Sequence, residues 1–152
     1  MKPLKIINLI FSLILGGMLI YGGFDKFSKQ MPAPTEVVVK AQKFQDIEQH
    51  STLQKILYIN GLQQTNYFWQ FLGVMQIVCG LLIISQVFTL FGAIMAFPIV
   101  INIFFFHLFL EFDEPLELLK VAGLLAINCW LIIAARKQLK PIIYQPEKLT
   151  LI

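Results

Sequence analysis

The stretch "YFWQFLGVMQIVCGLLIISQVFTLFGAIMAFPIVINIFFFHLFL", Tyr67 to Leu110, decides the fold by the way it divides. A helix rises about 1.5 Å per residue, and about 20 apolar residues cover the hydrocarbon core of a bilayer. The block is therefore too long for one crossing and long enough for two. The polar pair Ser85–Gln86 marks the break, which predicts spans over 67–84 and 88–110 joined by a very short turn. Working outward, the apolar run Ile6–Phe24 closes on the charged "DKFSK". A last run, about 116–135, ends at Arg136–Lys137. Its first turn carries Glu117 and Lys120, and a lysine there can snorkel to the interface.

Backbone polar groups in lipid must be satisfied within each span, so these runs are helices. The predicted fold is all-α: an integral membrane four-helix bundle forming a single domain, 1–152. An amphipathic, partly helical extracytoplasmic loop, 25–66, separates the first two spans. Composition agrees, with 57% hydrophobic residues, 14% charged residues and a mean hydropathy of +0.73. A soluble domain carries about 25% charged residues. The first apolar run is 19 residues long with no small-residue cleavage site after it. A signal peptide's apolar region is about 7–15 residues, so the run reads as a retained span.

Charge predicts orientation. With four spans, Lys2, Lys5, Arg136, Lys137, Lys140 and Lys148 share one side with Glu147 alone, a net of +5. Six lysines meet eight acids on the other side, a net of −2. Both termini are expected in the cytoplasm. In the loop, "MPAP" gives a stiff exit from the first span. The pattern from Thr35 and Glu36, with Val37, Ala41, Phe44 and Ile47 or Glu48 recurring, reads as an amphipathic helix. A second short helix is predicted from Ser51 or Thr52, broken by Asn60–Gly61. These elements read either as a cap over the bundle mouth or as a partner's docking surface. Small residues (Ser12 with Gly16, Gly92 with Ala96, and Gly22, Gly23, Gly73 and Gly80) predict close helix packing.

Depths counted from the helix ends bring polar groups together in the outer half. Gln70 matches His107, and Gln76 matches Asn102. Asp25, Lys26 and Glu111 sit at outer ends, while Asn8 and Asn128 lie in the inner half. Gln76 and Asn102 are expected to bond as interhelical glue. His107, four residues before Glu111, can be oriented by it; Asn102 lies about 140° away around the helix. Pro98 leaves the Ile94 carbonyl without a donor and predicts a kink. The candidate ligand-binding residues are thus His107, Glu111, Asn102, Gln76, Gln70, Asp25 and Lys26.

Several chemistries lose support. Cys79 and Cys129 lie far apart in apolar runs without a C-x-x-C, so no redox dithiol or zinc site is readable. A bis-histidine haem needs two intramembrane histidines, and His50 falls in the loop. There is no phosphate-binding glycine loop, no H-E-x-x-H and no flavin motif. Net basicity sits on the expected cytoplasmic flanks, so nucleic-acid binding has no support. No catalytic or metal-ligating residue is assigned.

"GGFDKF", "LGVMQIVCGLLII", "FPIVINIFFFHLFL" and "ARKQLKPII" together resemble the DoxX family of small bacterial membrane proteins. The run Pro98–Asn102–His107–Leu110 is the most specific piece, and Gln76 stands where the family often has glutamate. The resemblance implies a four-helix bundle in the bacterial inner membrane, in contact with lipid and with other membrane subunits. It also implies a link to quinone-dependent redox systems. The expected role is an accessory subunit of a membrane redox complex, with an outer pocket admitting a quinone head group. His107 would donate to the quinone carbonyl, Glu111 would orient it, and Asn102 and Gln76 would form the floor. The alternatives are an autonomous quinone-linked sulfur or thiol oxidoreductase, or a purely structural membrane protein.

Overall fold

The computed structural model of the protein describes residues 3–28, 31–44 and 50–135. Among these the chain is helical: α1 (Pro3–Ser28), α2 (Pro34–Gln42), α3 (His50–Gln64), α4 (Phe68–Ile84), α5 (Thr89–Leu110) and α6 (Pro115–Ala134). Helices α1, α5 and α6 are long and apolar enough to cross a membrane. Helix α4 has 17 residues, about 25 Å, and counts as a fourth span when taken with the steeply angled α3 before it. The tail charges used to orient the chain, Arg136 to Lys148, lie outside the described residues, as does Lys2.

Helix α1 packs on α4, α4 on α5, α5 on α6, and α6 back on α1. The start of α1, the α4–α5 turn and the end of α6 therefore share one end, termed the terminus end. The α5–α6 turn and the start of α4 share the other, the loop end. The core between the helices holds Leu15, Leu19, Cys79, Ile83, Ala96 and Leu131 among others. The tightest seam is α1 against α4. A Cβ at Gly80 would lie 2.6 Å from the Gly16 carbonyl oxygen, and one at Gly23 would lie 2.7 Å from that of Gly73. Without side chains at these points the two backbones approach closely, which is how helices gain dispersion contact where lipid removes the hydrophobic drive.

Both sharp turns use one local device. In "SQVF", the Ser85 hydroxyl donates to the Leu82 carbonyl (2.7 Å) and accepts the N–H of Phe88 (3.2 Å). In "TNYF", the Thr65 hydroxyl donates to the Leu62 carbonyl (2.7 Å) and accepts the N–H of Phe68 (3.0 Å). The residue after each hydroxyl is left-handed, Gln86 at φ 60° and Asn66 at φ 61°. Each hydroxyl satisfies one group from the ending helix and one from the next, so the chain turns sharply without stranding polar backbone.

Three expectations change. Helix α1 runs past "DKF" to Ser28, because the Lys26 ammonium bends back to donate to the Gly22 carbonyl (3.2 Å). Asn60–Gly61 does not break α3. The Asn60 amide donates to the Ile56 carbonyl one turn back (2.6 Å), and the helix continues to Gln64. Helix α2 starts at Pro34, with the Glu36 carboxylate accepting the N–H of Ala33 (3.2 Å). Phe44 falls in the turn after α2, and Ile47 and Glu48 lie outside the described residues.

Helix α3 does not trail along the bundle. Its Thr52–Gln64 portion meets α4 at 88°, and α3 packs against both α4 and α5 while carrying α2. Gln64 ties α2's approach to it by donating to the Pro32 carbonyl (2.7 Å). Helix α5 has 22 residues against α4's 17, and the short turn holds their terminus ends together. The difference, about 7.5 Å, therefore appears entirely at the loop end, where α5 rises beside α3.

Candidate functional site

That length difference builds a recess. Helix α3 crosses above the start of α4 while α5 continues past α4 to meet it, around a cavity of about 360 Å³ lined by Leu62, Phe71, Leu72, Met75, Ile99 and Pro98 among others. Its polar rim is Tyr58 and Asn102. The Tyr58 hydroxyl donates to Asn102 Oδ1 at 3.1 Å, and its ring packs on Phe106 with centroids 5.5 Å apart. This use of Oδ1 leaves the Asn102 amide N–H groups as donors at the rim. A smaller lobe of about 90 Å³ continues past Tyr58 and Asn102 to Lys26 and Trp69. There the Lys26 ammonium sits 5.0 Å from the Trp69 ring centroid, in reach of a cation–π attraction.

A second cluster lies at the end of α5. The Glu111 carboxylate pairs with Lys55 of α3 through one oxygen and with His107 Nδ1 through the other. The Glu111 side chain is only 11% exposed, so its charge is held by these two partners rather than by water. Lys55 and Tyr58 are one turn apart on α3. The same face of that helix thus reaches Glu111 with one residue and Asn102 with the other. Nearby, Lys120 and Glu117 pair at 2.5 Å in the first turn of α6.

The structure brings together some of the residues predicted from sequence and separates others. His107 and Glu111 meet as expected. Lys26 and Asn102 line one lobe. His107 does not line the cavity, in keeping with its angle from Asn102 around the helix. Gln70 turns its amide nitrogen toward the Met31 sulfur (3.8 Å), and Asp25 lies half-buried at the end of α1. Gln76 and Asn102 do not bond. Gly92 of α5 packs against Cys79, Leu82 and Ile83 of α4, and that register puts Asn102 level with about Phe71 and Gln76 level with about Phe97. Gln76 is 2% exposed, faces Gly22 of α1, and its Oε1 has no partner. Counting depth from both helix ends fails because those ends are not flush.

Sequence reasoning missed Lys55, Tyr58 and Leu62, the α3 residues that complete both clusters. Their signal was present: in "STLQKILYINGL" they fall at i, i+3 and i+7, one helical face.

The DoxX family model matches residues 7–108, from the first turns of α1 to the last turn of α5. This chain belongs to the DoxX family. The DoxX match takes in Tyr58, Asn102 and His107 and stops short of Glu111 and α6. No curated protein and no solved structure matches the chain. As a DoxX protein with long apolar helices, it is a membrane protein in contact with lipid.

Proposed function

We propose that this DoxX protein is an accessory subunit of a quinone-linked redox complex in the bacterial inner membrane. Helices α1, α4, α5 and α6 would cross as a four-helix bundle, with both chain ends cytoplasmic and the loop end facing outward. The observation that carries the ligand reading is the cavity under α3, apolar along its walls with hydrogen-bonding groups only at its rim. A quinone fits that distribution, with an apolar ring and tail for Phe71, Met75 and Ile99 and a carbonyl oxygen to accept from Asn102 or Tyr58. Lys26, over Trp69 in the adjoining lobe, supplies positive charge close to that oxygen. His107 and Glu111 serve this reading indirectly, by holding α3 through Lys55.

The test is titration of the full chain in nanodiscs with a short-tail quinone, followed by tryptophan quenching. Asn102→Leu should weaken binding about tenfold, the worth of one or two hydrogen bonds. Loss of binding in His107→Ala but not in Asn102→Leu would move the head group to His107. An absence of saturable quenching would remove the quinone. Purification in mild detergent tests the accessory role separately, by recovery of haem- or iron–sulfur-bearing subunits. Quinone turnover by the isolated chain would favour the autonomous oxidoreductase.

A further inference from the structure

We infer that the terminus end of the bundle holds a second binding site, a hydrated cavity that admits a small uncharged hydrogen-bonding solute of the primary-amide or urea class. The cavity has a volume of about 200 Å³ and lies between α1, the α4–α5 turn, the start of α5 and the end of α6. Asn8, Ser12, Gln86 and Thr89 give it hydrogen-bonding walls, and Leu90 and Leu131 an apolar side. Among the described residues, no lysine, arginine, aspartate or glutamate lines it.

A second observation points to an occupant. Ser12 is completely buried at the cavity wall, and its hydroxyl has no partner. Asn128 is also completely buried, with neither its Oδ1 nor its Nδ2 partnered. Leu131, one turn beyond Asn128, forms part of the same cavity. The Trp130 indole donates to Asn8 Oδ1 at 3.0 Å and so fixes α6 against α1. That register places Asn128 between Asn8 and Ser12 in depth, about 3 Å from the level of each.

A hydroxyl and an amide left bare in the core of a membrane bundle are costly, and helices normally bond such groups to each other or to water. Space for several waters adjoins Ser12, and Asn128 lies one turn of α6 from Leu131 on the same wall. The exposed groups include donors and acceptors but no charge, which matches a molecule that itself offers both, with an apolar back toward Leu90 and Leu131. An amide does so; an ion or a hydrocarbon does not. This site is independent of the quinone reading, since it shares no lining residue with the loop-end cavity.

The test uses the full chain in proteoliposomes carrying Ser12→Cys, exposed from each side in turn to the small uncharged hydroxyethyl methanethiosulfonate, with an impermeant thiol scavenger on the opposite side. Modification at position 12 is read by peptide mass. Leu13→Cys, on the outer surface of α1, is the comparison. From one side, position 12 should react at least tenfold faster than position 13, and acetamide should slow it saturably. Reaction no faster than at position 13 from either side would mean a dry core and overturn the proposal. Reaction indifferent to acetamide and urea would overturn the solute assignment and leave water alone. If Ser12→Cys does not yield folded protein, Thr89→Cys on the same wall takes its place. Saturable protection by acetamide there supports the site, and labelling that is absent or indifferent to acetamide overturns it.

Discussion

At the loop end, Glu111 meets Lys55 and His107, and Asn102 meets Tyr58. Toward the terminus end, Ser12 and Asn128 are more deeply buried, yet their polar atoms meet no protein group. The difference follows from what each region is built from. Helix α3 lies across the loop end and supplies a cation and a phenol from outside the four long helices. The terminus end is closed by a four-residue turn, and nothing comparable reaches inward there among the described residues. Among the described residues, the buried carboxylate therefore sits where an extra helix can neutralise it, and the fully buried polar groups toward the terminus end are neutral.

The harshest way to break this comparison is to put a charge in the neutral region. Among the described residues no group partners the Asn128 side chain, so Asn128→Asp buries an uncompensated carboxylate, which at membrane depth costs about 3 kcal/mol. Thermal unfolding in detergent should show a drop of that order or loss of monodisperse protein, and an unchanged midpoint would mean charge is tolerated at both ends. Glu111→Gln removes charge from the region that holds it. It should cost about 1.5–3 kcal/mol, the range for hydrogen bonds to ionised groups, with proteolysis within α3 rising as its Lys55 anchor is lost. Lys55→Met in the same background should then add little, since the pair is already broken.

Tyr58→Phe is milder. It deletes one neutral hydrogen bond and keeps the ring on Phe106, so about 1 kcal/mol is expected, together with faster hydrogen exchange in α3. At the small end, Gly61→Ala should stabilise by about 0.5–1 kcal/mol. Gly61 is helical, and a Cβ there meets nothing within 4 Å. A loss instead would show that α3 needs its Asn60–Gly61 pair flexible, making the crossing helix a moving part rather than a fixed support.

Much of this molecule was legible because membrane helices announce themselves by length. Tyr67–Leu110 had to divide, and Ser85–Gln86 was the place where a hydroxyl could cap the next helix. His107 and Glu111, at i and i+4, had to share a face. Asn102 was misplaced for a reason no periodicity carries: its depth depends on how far α5 overhangs α4, which the Gly92 contact sets. Lys55 and Tyr58 were passed over because a loop helix has no fixed neighbour until the chain turns at Thr65.

By itself, then, the sequence determined the apolar spans, their break points and the family, since hydrophobic length and local turn chemistry act over a few residues. Only the tertiary structure decided which polar groups meet. Helix overhang and the steep crossing of α3 are properties of packing between distant segments, and they gave Asn102 to Tyr58, Glu111 to Lys55, and left Asn128 buried without a protein partner among the described residues.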